Sequence, residues 1–161
     1  MSLDKRILAD FQGECAQLLK ELAAVVSDIE DSHDVFPTEQ IKEFSQKIDR
    51  IMGAAKTLLI YDPENPGIQF LASLAEMCKN MGYQAAALER VLLVPFFAGF
   101  WAETVEAMES VVTALNSVQA TGEIVKKQSE VLQKRLAWLA EKVAPQGEEE
   151  KAKVVALLKK L

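Results

Sequence analysis

Histidine is almost missing from this 161-residue chain: His33 is the only one, and it sits in a proline-bounded break between two helical patterns. No histidine is therefore placed to serve a catalytic triad, and no closely spaced histidine and cysteine set exists to ligate a metal. Cysteine is nearly as sparse. Cys15 and Cys78 stand alone in separate segments, each on an expected apolar face, and read as buried reduced thiols rather than a disulfide or redox pair. With seven glycines and five prolines there is no glycine-rich, phosphate-cradling loop. An excess of positive charge is missing too, since 18 Lys and Arg against 24 Asp and Glu leave a formal charge of −6. That balance lacks the basic field that draws nucleic acid or an anionic membrane surface, so neither is an expected partner. The longest apolar run, residues 91–101, contains Pro95 and is about half of the roughly 20 residues needed to span a bilayer. Met1-Ser2-Leu3-Asp4-Lys5-Arg6 lacks the charged-then-apolar order of a secretory signal, making the cytoplasm the expected location. No cofactor and no metal is expected.

What the chain does contain is helix-forming material: half of its residues are hydrophobic and about a quarter are charged. Apolar residues recur at the three-and-four spacing of a buried helical stripe, and no stretch alternates with a period of two for long enough to make a sheet. Residues 4–31 carry Ile7, Leu8, Phe11, Cys15, Leu18, Leu19, Leu22, Val25, Val26 and Ile29 in this way. A second helix starts at Pro37 or Thr38 and runs to about Tyr61, burying Ile41, Phe44, Ile48, Ile51, Ala55 and Leu58. The turn Asp62-Pro63-Glu64-Asn65-Pro66-Gly67 ends it. A third helix is expected over 66–80, closed by Gly82 as a C-terminal cap. A fourth begins near Gln84, is kinked or restarted at Pro95, and continues to Asn116. After a break at Ala120-Thr121-Gly122 a fifth covers 123–143, and a short charged one covers 148–161. Phe96, Phe97, Phe100 and Trp101 form the densest aromatic cluster, which fills the core or, pointing around several faces, offers a partner patch. Short connections between long helices imply antiparallel neighbours. The fold class is thus all-α, an up-and-down antiparallel bundle over residues 1–118, with a C-terminal helical extension at 119–161 that packs on the bundle or makes a homodimer.

The second helix carries an unusual outward surface. With its apolar stripe turned inward, Lys42, Ser45, Asp49, Gly53 and Lys56 face outward and Met52 lies at the boundary. A glycine inside a helix costs about 1 kcal/mol relative to alanine, so Gly53 calls for a reason such as close approach of another surface. Asp49-Arg50-Ile51-Met52-Gly53-Ala54-Ala55 resembles the active-helix signature of histidine phosphotransfer domains, His-x-x-Lys-Gly followed by small residues. Phe11-Gln12-Gly13-Glu14-Cys15-Ala16-Gln17-Leu18-Leu19 is similar to the first helix of the phosphotransfer domain of chemotaxis histidine kinases. Asp49 stands where that family has its phosphorylated histidine, and Met52 where it has lysine.

The resemblance implies a four-helix core and a docking surface for a receiver or kinase domain of a two-component pathway, without an imidazole to carry phosphate. Asp49 would put a permanent charge where phosphohistidine forms, and Lys56 would supply part of the positive charge lost at Met52. Asp49 can otherwise be read as a plain exposed carboxylate, loosely paired with Lys42, Lys56 or Ser45. An alternative within the same signalling class is a receiver phosphatase using an acid and an amide one helical turn apart, Glu43 with Gln46 or Glu76 with Asn80. A third is an oligomeric scaffold built on the aromatic segment and the C-terminal helices.

Overall fold

Asp4 opens the first helix by accepting the Arg6 amide on its carboxylate at 2.7 Å, which satisfies one of the free N–H groups of a helix start. In the computed structural model, which describes residues 4–32 and 34–143, this helix is α1, Lys5–Glu30. Its buried residues run from Phe11 to Ile29 at the expected spacing, while Ile7 at the first turn is exposed and Leu8 half-buried. Next comes α2, Thr38–Tyr61, preceded by Pro37, which offers no side-chain cap. The stripe foreseen for it is the one observed: Ile41, Phe44, Ile48, Ile51, Ala55 and Leu58 are all buried. His33 and residues 144–161, including the helix expected over 148–161, lie outside the described residues.

Three boundaries differ from the sequence reading. The third helix, α3, spans Pro66–Leu88 and passes straight through Gly82 instead of stopping there. Asn65 caps its start by accepting the Ile68 amide at 3.1 Å, and its true terminator is Glu89, held in the left-handed region at φ 46°. Gly82 is needed for packing: a Cβ at this position would stand 2.5 Å from Ser45 Oγ of α2, so its helix-propensity cost is set against the close approach of two helices. The fourth helix does not begin near Gln84. A single 3₁₀ turn, Val91–Leu93, leads into α4, Val94–Ala114, with Pro95 in its first turn where a missing N–H costs nothing. The break before the last described helix falls at residues 115–117, ahead of Thr121 and Gly122, because Ser117 accepts the Ala120 amide at 3.2 Å and starts α5, Val118–Val143. The Thr121 hydroxyl, within reach of the Ala114 and Ser117 carbonyls at 2.6 and 2.7 Å, ties the two helices at this corner.

The described residues form an all-α antiparallel bundle with no strand. Pairs of opposite chain order establish the directions: Glu21 with Lys47 and Glu14 with Arg50 between α1 and α2, and Phe96 with Trp138 and Glu103 with Arg135 between α4 and α5. Going round the barrel, α1 packs on α2 and α4, α2 on α3, and α3 on α4, while α5 lies across α3 and α4. Its Leu132, Leu136, Leu139 and Ala140 are buried. At the centre the Trp101 ring of α4 stacks on Phe44 of α2 at 4.6 Å and lies 5.9 Å from Phe97.

That central place accounts for the composition of α4. Although no unbroken apolar run is long enough, Val91–Ala114 taken whole is long and apolar enough to cross a membrane. In the bundle those apolar residues, Trp101, Val105, Met108 and Val111 among them, face the other helices. The aromatic segment is correspondingly core: Phe97, Phe100 and Trp101 are buried, and Phe96 is half-buried with its ring edge-on to Trp138 at 5.4 Å.

Gly67 has a role like that of Gly82. A Cβ there would meet Thr121 Cγ2 at 2.5 Å, Leu115 Cδ2 at 2.7 Å and Val111 Cγ1 at 3.3 Å. Gly67→Ala overfills this corner, and urea denaturation should register a loss of about 1–3 kcal/mol despite alanine's better helix propensity.

Candidate docking face on α2 and α3

Ser45, Asp49 and Met52 climb α2 at steps of four and three, so they follow one another along a single side of the helix. Running antiparallel beside it, α3 sets Gly82 against Ser45 and Lys79 against Asp49. Lys79 donates to Asp49 Oδ1 at 2.7 Å, the shortest ion pair among the described residues, with the two side chains 27% and 52% exposed. Asp49 is thus partnered across helices by a residue absent from the sequence reading, rather than by Lys42, Lys56 or Ser45. The carboxylate raises the Lys79 pKa above its ordinary value, chiefly through this hydrogen bond. The shift favours the ammonium form, in which Lys79 is a hydrogen-bond donor.

A groove of about 370 Å³ lies open between the two helices, with Gly82 among its lining residues. Its walls include Ile41, Lys42, Ser45, Asp49, Lys79 and Tyr83. Of the six residues expected to form a surface, Lys42, Ser45 and Asp49 line this groove. Met52, Gly53 and Lys56 do not, and continue the face beyond it along α2. Met52 is half-buried against the core, Gly53 and Lys56 are exposed, and a Cβ built on Gly53 meets nothing within 4 Å. Gly13, Gly99 and Gly122 are equally open, so a small residue by itself does not single out this face. What distinguishes Gly53 is its position one turn past Asp49 and the groove.

The acid and amide pairs fare unevenly. Gln46 lines both the groove and a neighbouring depression, which it shares with Glu43, Asp28 and Glu39, while Glu43 is turned toward Lys47 at 3.9 Å. Glu76 is exposed and Asn80 half-buried on α3, and neither lines the groove. No group of three or more His, Cys, Asp or Glu is placed to hold a metal ion among the described residues.

Lys79, Gly82 and Tyr83 were the residues missed from sequence. The available signal was their spacing: with Ala86 they recur at three and four on one side of α3, as small or polar residues beside the apolar stripe of Leu71, Leu74 and Cys78. Assigning Gly82 to a helix end hid that pattern.

Both thiols are buried, and burial pushes each up to about 12 from an ordinary 9; the charge of Glu14 adds to the effect at Cys15, whereas the Thr104 hydroxyl opposes it at Cys78. The folded chain holds both protons where the unfolded chain has lost them. This stabilisation is complete below pH 9 and disappears as pH rises toward 12, so the urea midpoint should fall over that window. At pH 8 an aromatic disulfide reagent should label neither cysteine until urea is added.

Comparison with protein-family models, with curated proteins and with solved structures returned no match. The class of protein is accordingly set by fold and surface alone: an antiparallel helical bundle with an exposed, partly apolar face on two adjacent helices.

Proposed function

We propose that this bundle is a noncatalytic, phosphotransfer-like signalling module whose α2–α3 face binds a receiver or kinase domain of a two-component or chemotaxis pathway. The carrying observation is that Asp49 and Gly53, the two positions aligned with the family's phosphorylated histidine and glycine, both lie on the exposed side of α2, Asp49 lining an open groove and Gly53 one turn beyond it. Antiparallel packing of the first four helices is the arrangement the resemblance called for. A carboxylate offers no imidazole nitrogen for phosphoryl transfer, so the module acts by occupying or competing for a docking surface. Its compartment under this reading is the cytoplasm.

The ion pair alters one part of the picture. With Lys79 at 2.7 Å, Asp49 presents a largely compensated charge, which supports docking by shape and mixed polarity more than imitation of a phosphoryl group. The phosphatase reading stands as the alternative: Glu43 and Gln46 border one depression on α2, with Glu43 turned toward Lys47 at 3.9 Å. Calorimetry of the full chain against phosphorylated and unphosphorylated receiver domains, and against kinase domains, from its source genome tests the proposal. Saturable one-to-one heat with at least one supports it. Absence of heat with all of them overturns it.

A further inference from the structure

Charge is distributed unequally among the surface depressions of this acidic chain. One gathers Asp28, Glu39 and Glu43 around Lys42, another Glu30, Glu106 and Glu109, and a third pairs Glu103 with Arg135. Only in the α2–α3 groove, among these four, do cations outnumber carboxylates, with Lys42 and Lys79 against Asp49. Lys42 makes no ion pair within 4 Å among the described residues. Outside the groove, Glu39 shares the neighbouring depression with Lys42, and Glu76 on α3 acts on Lys79. The Ser45 hydroxyl and Gln46 amide add donors, whereas Ile41, Tyr83 and Ala86 give it apolar walls.

The contact between Lys79 and Asp49 shows what the ammonium donates to: a carboxylate oxygen at 2.7 Å, placed from the edge of the groove. A lysine has three donors, and this bond uses one. An exposed intramolecular pair of this kind is weak enough to exchange for an equivalent external partner.

Building on the docking reading, we propose that Lys79 and Lys42 recognise a carboxylate on an amphipathic acidic segment of the partner, which takes the place that Asp49 holds on Lys79 in the free chain. Apolar side chains of that segment rest against Ile41, Tyr83 and Ala86. Asp49 is then an internal competitor, and its removal favours the partner.

The test uses the full ¹⁵N-labelled chain and two blocked helical peptides of equal length, one with leucine and glutamate at three-and-four spacing, the other with lysine replacing each glutamate. Backbone resonances of residues 41–49 and 79–86 should move with the acidic peptide only, and less at higher salt. Lys79→Met should weaken the response roughly tenfold, the scale of a lost charge-assisted bond, and Asp49→Asn should strengthen it roughly threefold. Circular dichroism confirms that both variants remain folded. Equal response to the basic peptide, shifts located elsewhere, no shift, or the reverse order of the two variants overturns the inference. Receiver calorimetry separates it from the docking reading: a receiver bound equally well by wild type and Lys79→Met refutes the role of Lys79 and leaves docking in place.

Discussion

Trp101→Ala should lower the unfolding free energy by about 3–5 kcal/mol, the largest loss expected from a single substitution in this chain. The indole is fully buried, stacks on Phe44 at 4.6 Å and contacts Phe97, so it joins α2 to α4 across the centre of the bundle. Domains of this kind have roughly 5–15 kcal/mol in total, and such a loss removes a large part of it. The indole Nε1 is buried without a hydrogen-bond partner among the described residues. A buried unmet donor costs about 1–3 kcal/mol, which offsets part of the lost packing when phenylalanine takes its place. Trp101→Phe should accordingly cost less than about 1.5 kcal/mol. Urea denaturation followed by the fluorescence of Trp138, the other tryptophan, measures both.

Gly53→Trp should weaken partner binding by about tenfold or more, equivalent to at least ~1.4 kcal/mol, without lowering the stability of the free chain. Nothing within 4 Å of the glycine would be struck by a Cβ, so the indole projects into solvent where a partner must approach. Gly53→Ala serves as the control. Alanine in an open helical position should raise stability by about 0.5–1 kcal/mol and leave binding nearly unchanged. If Gly53→Trp binds as wild type does, the face beyond the groove takes no part. If it unfolds the chain, the glycine is structural after all.

How far the chain could be read beforehand varied with the kind of signal. The apolar stripe of α2 was legible to the residue, because six buried positions at three-and-four spacing leave one way to turn the helix. Directions followed from short connections. Glycine was the source of the main error: read locally, Gly82 is a helix terminator, and only the approach of Ser45 from another helix explains its place inside α3. The α4–α5 corner was misjudged similarly, since Gly122 drew the break away from the Ser117 cap. Asp49 and Gly53 were correctly placed on an exposed side, but Lys79 was beyond reach. An ion pair between residues thirty apart depends on the register of two helices, which periodicity within either one does not specify.

Hydroxyl-radical footprinting of the full chain, alone and with a receiver or kinase domain that gives a calorimetric signal, tests most directly which surface the partner covers. Met52 and Tyr83 report on the α2–α3 face, and Trp138, 42% exposed on α5 and packed against Phe96 of α4, reports on a separate part of the surface. Protection of Met52 and Tyr83 with Trp138 unchanged is the predicted result. Protection of Trp138 with Met52 and Tyr83 oxidised as fast as in the free chain would contradict it.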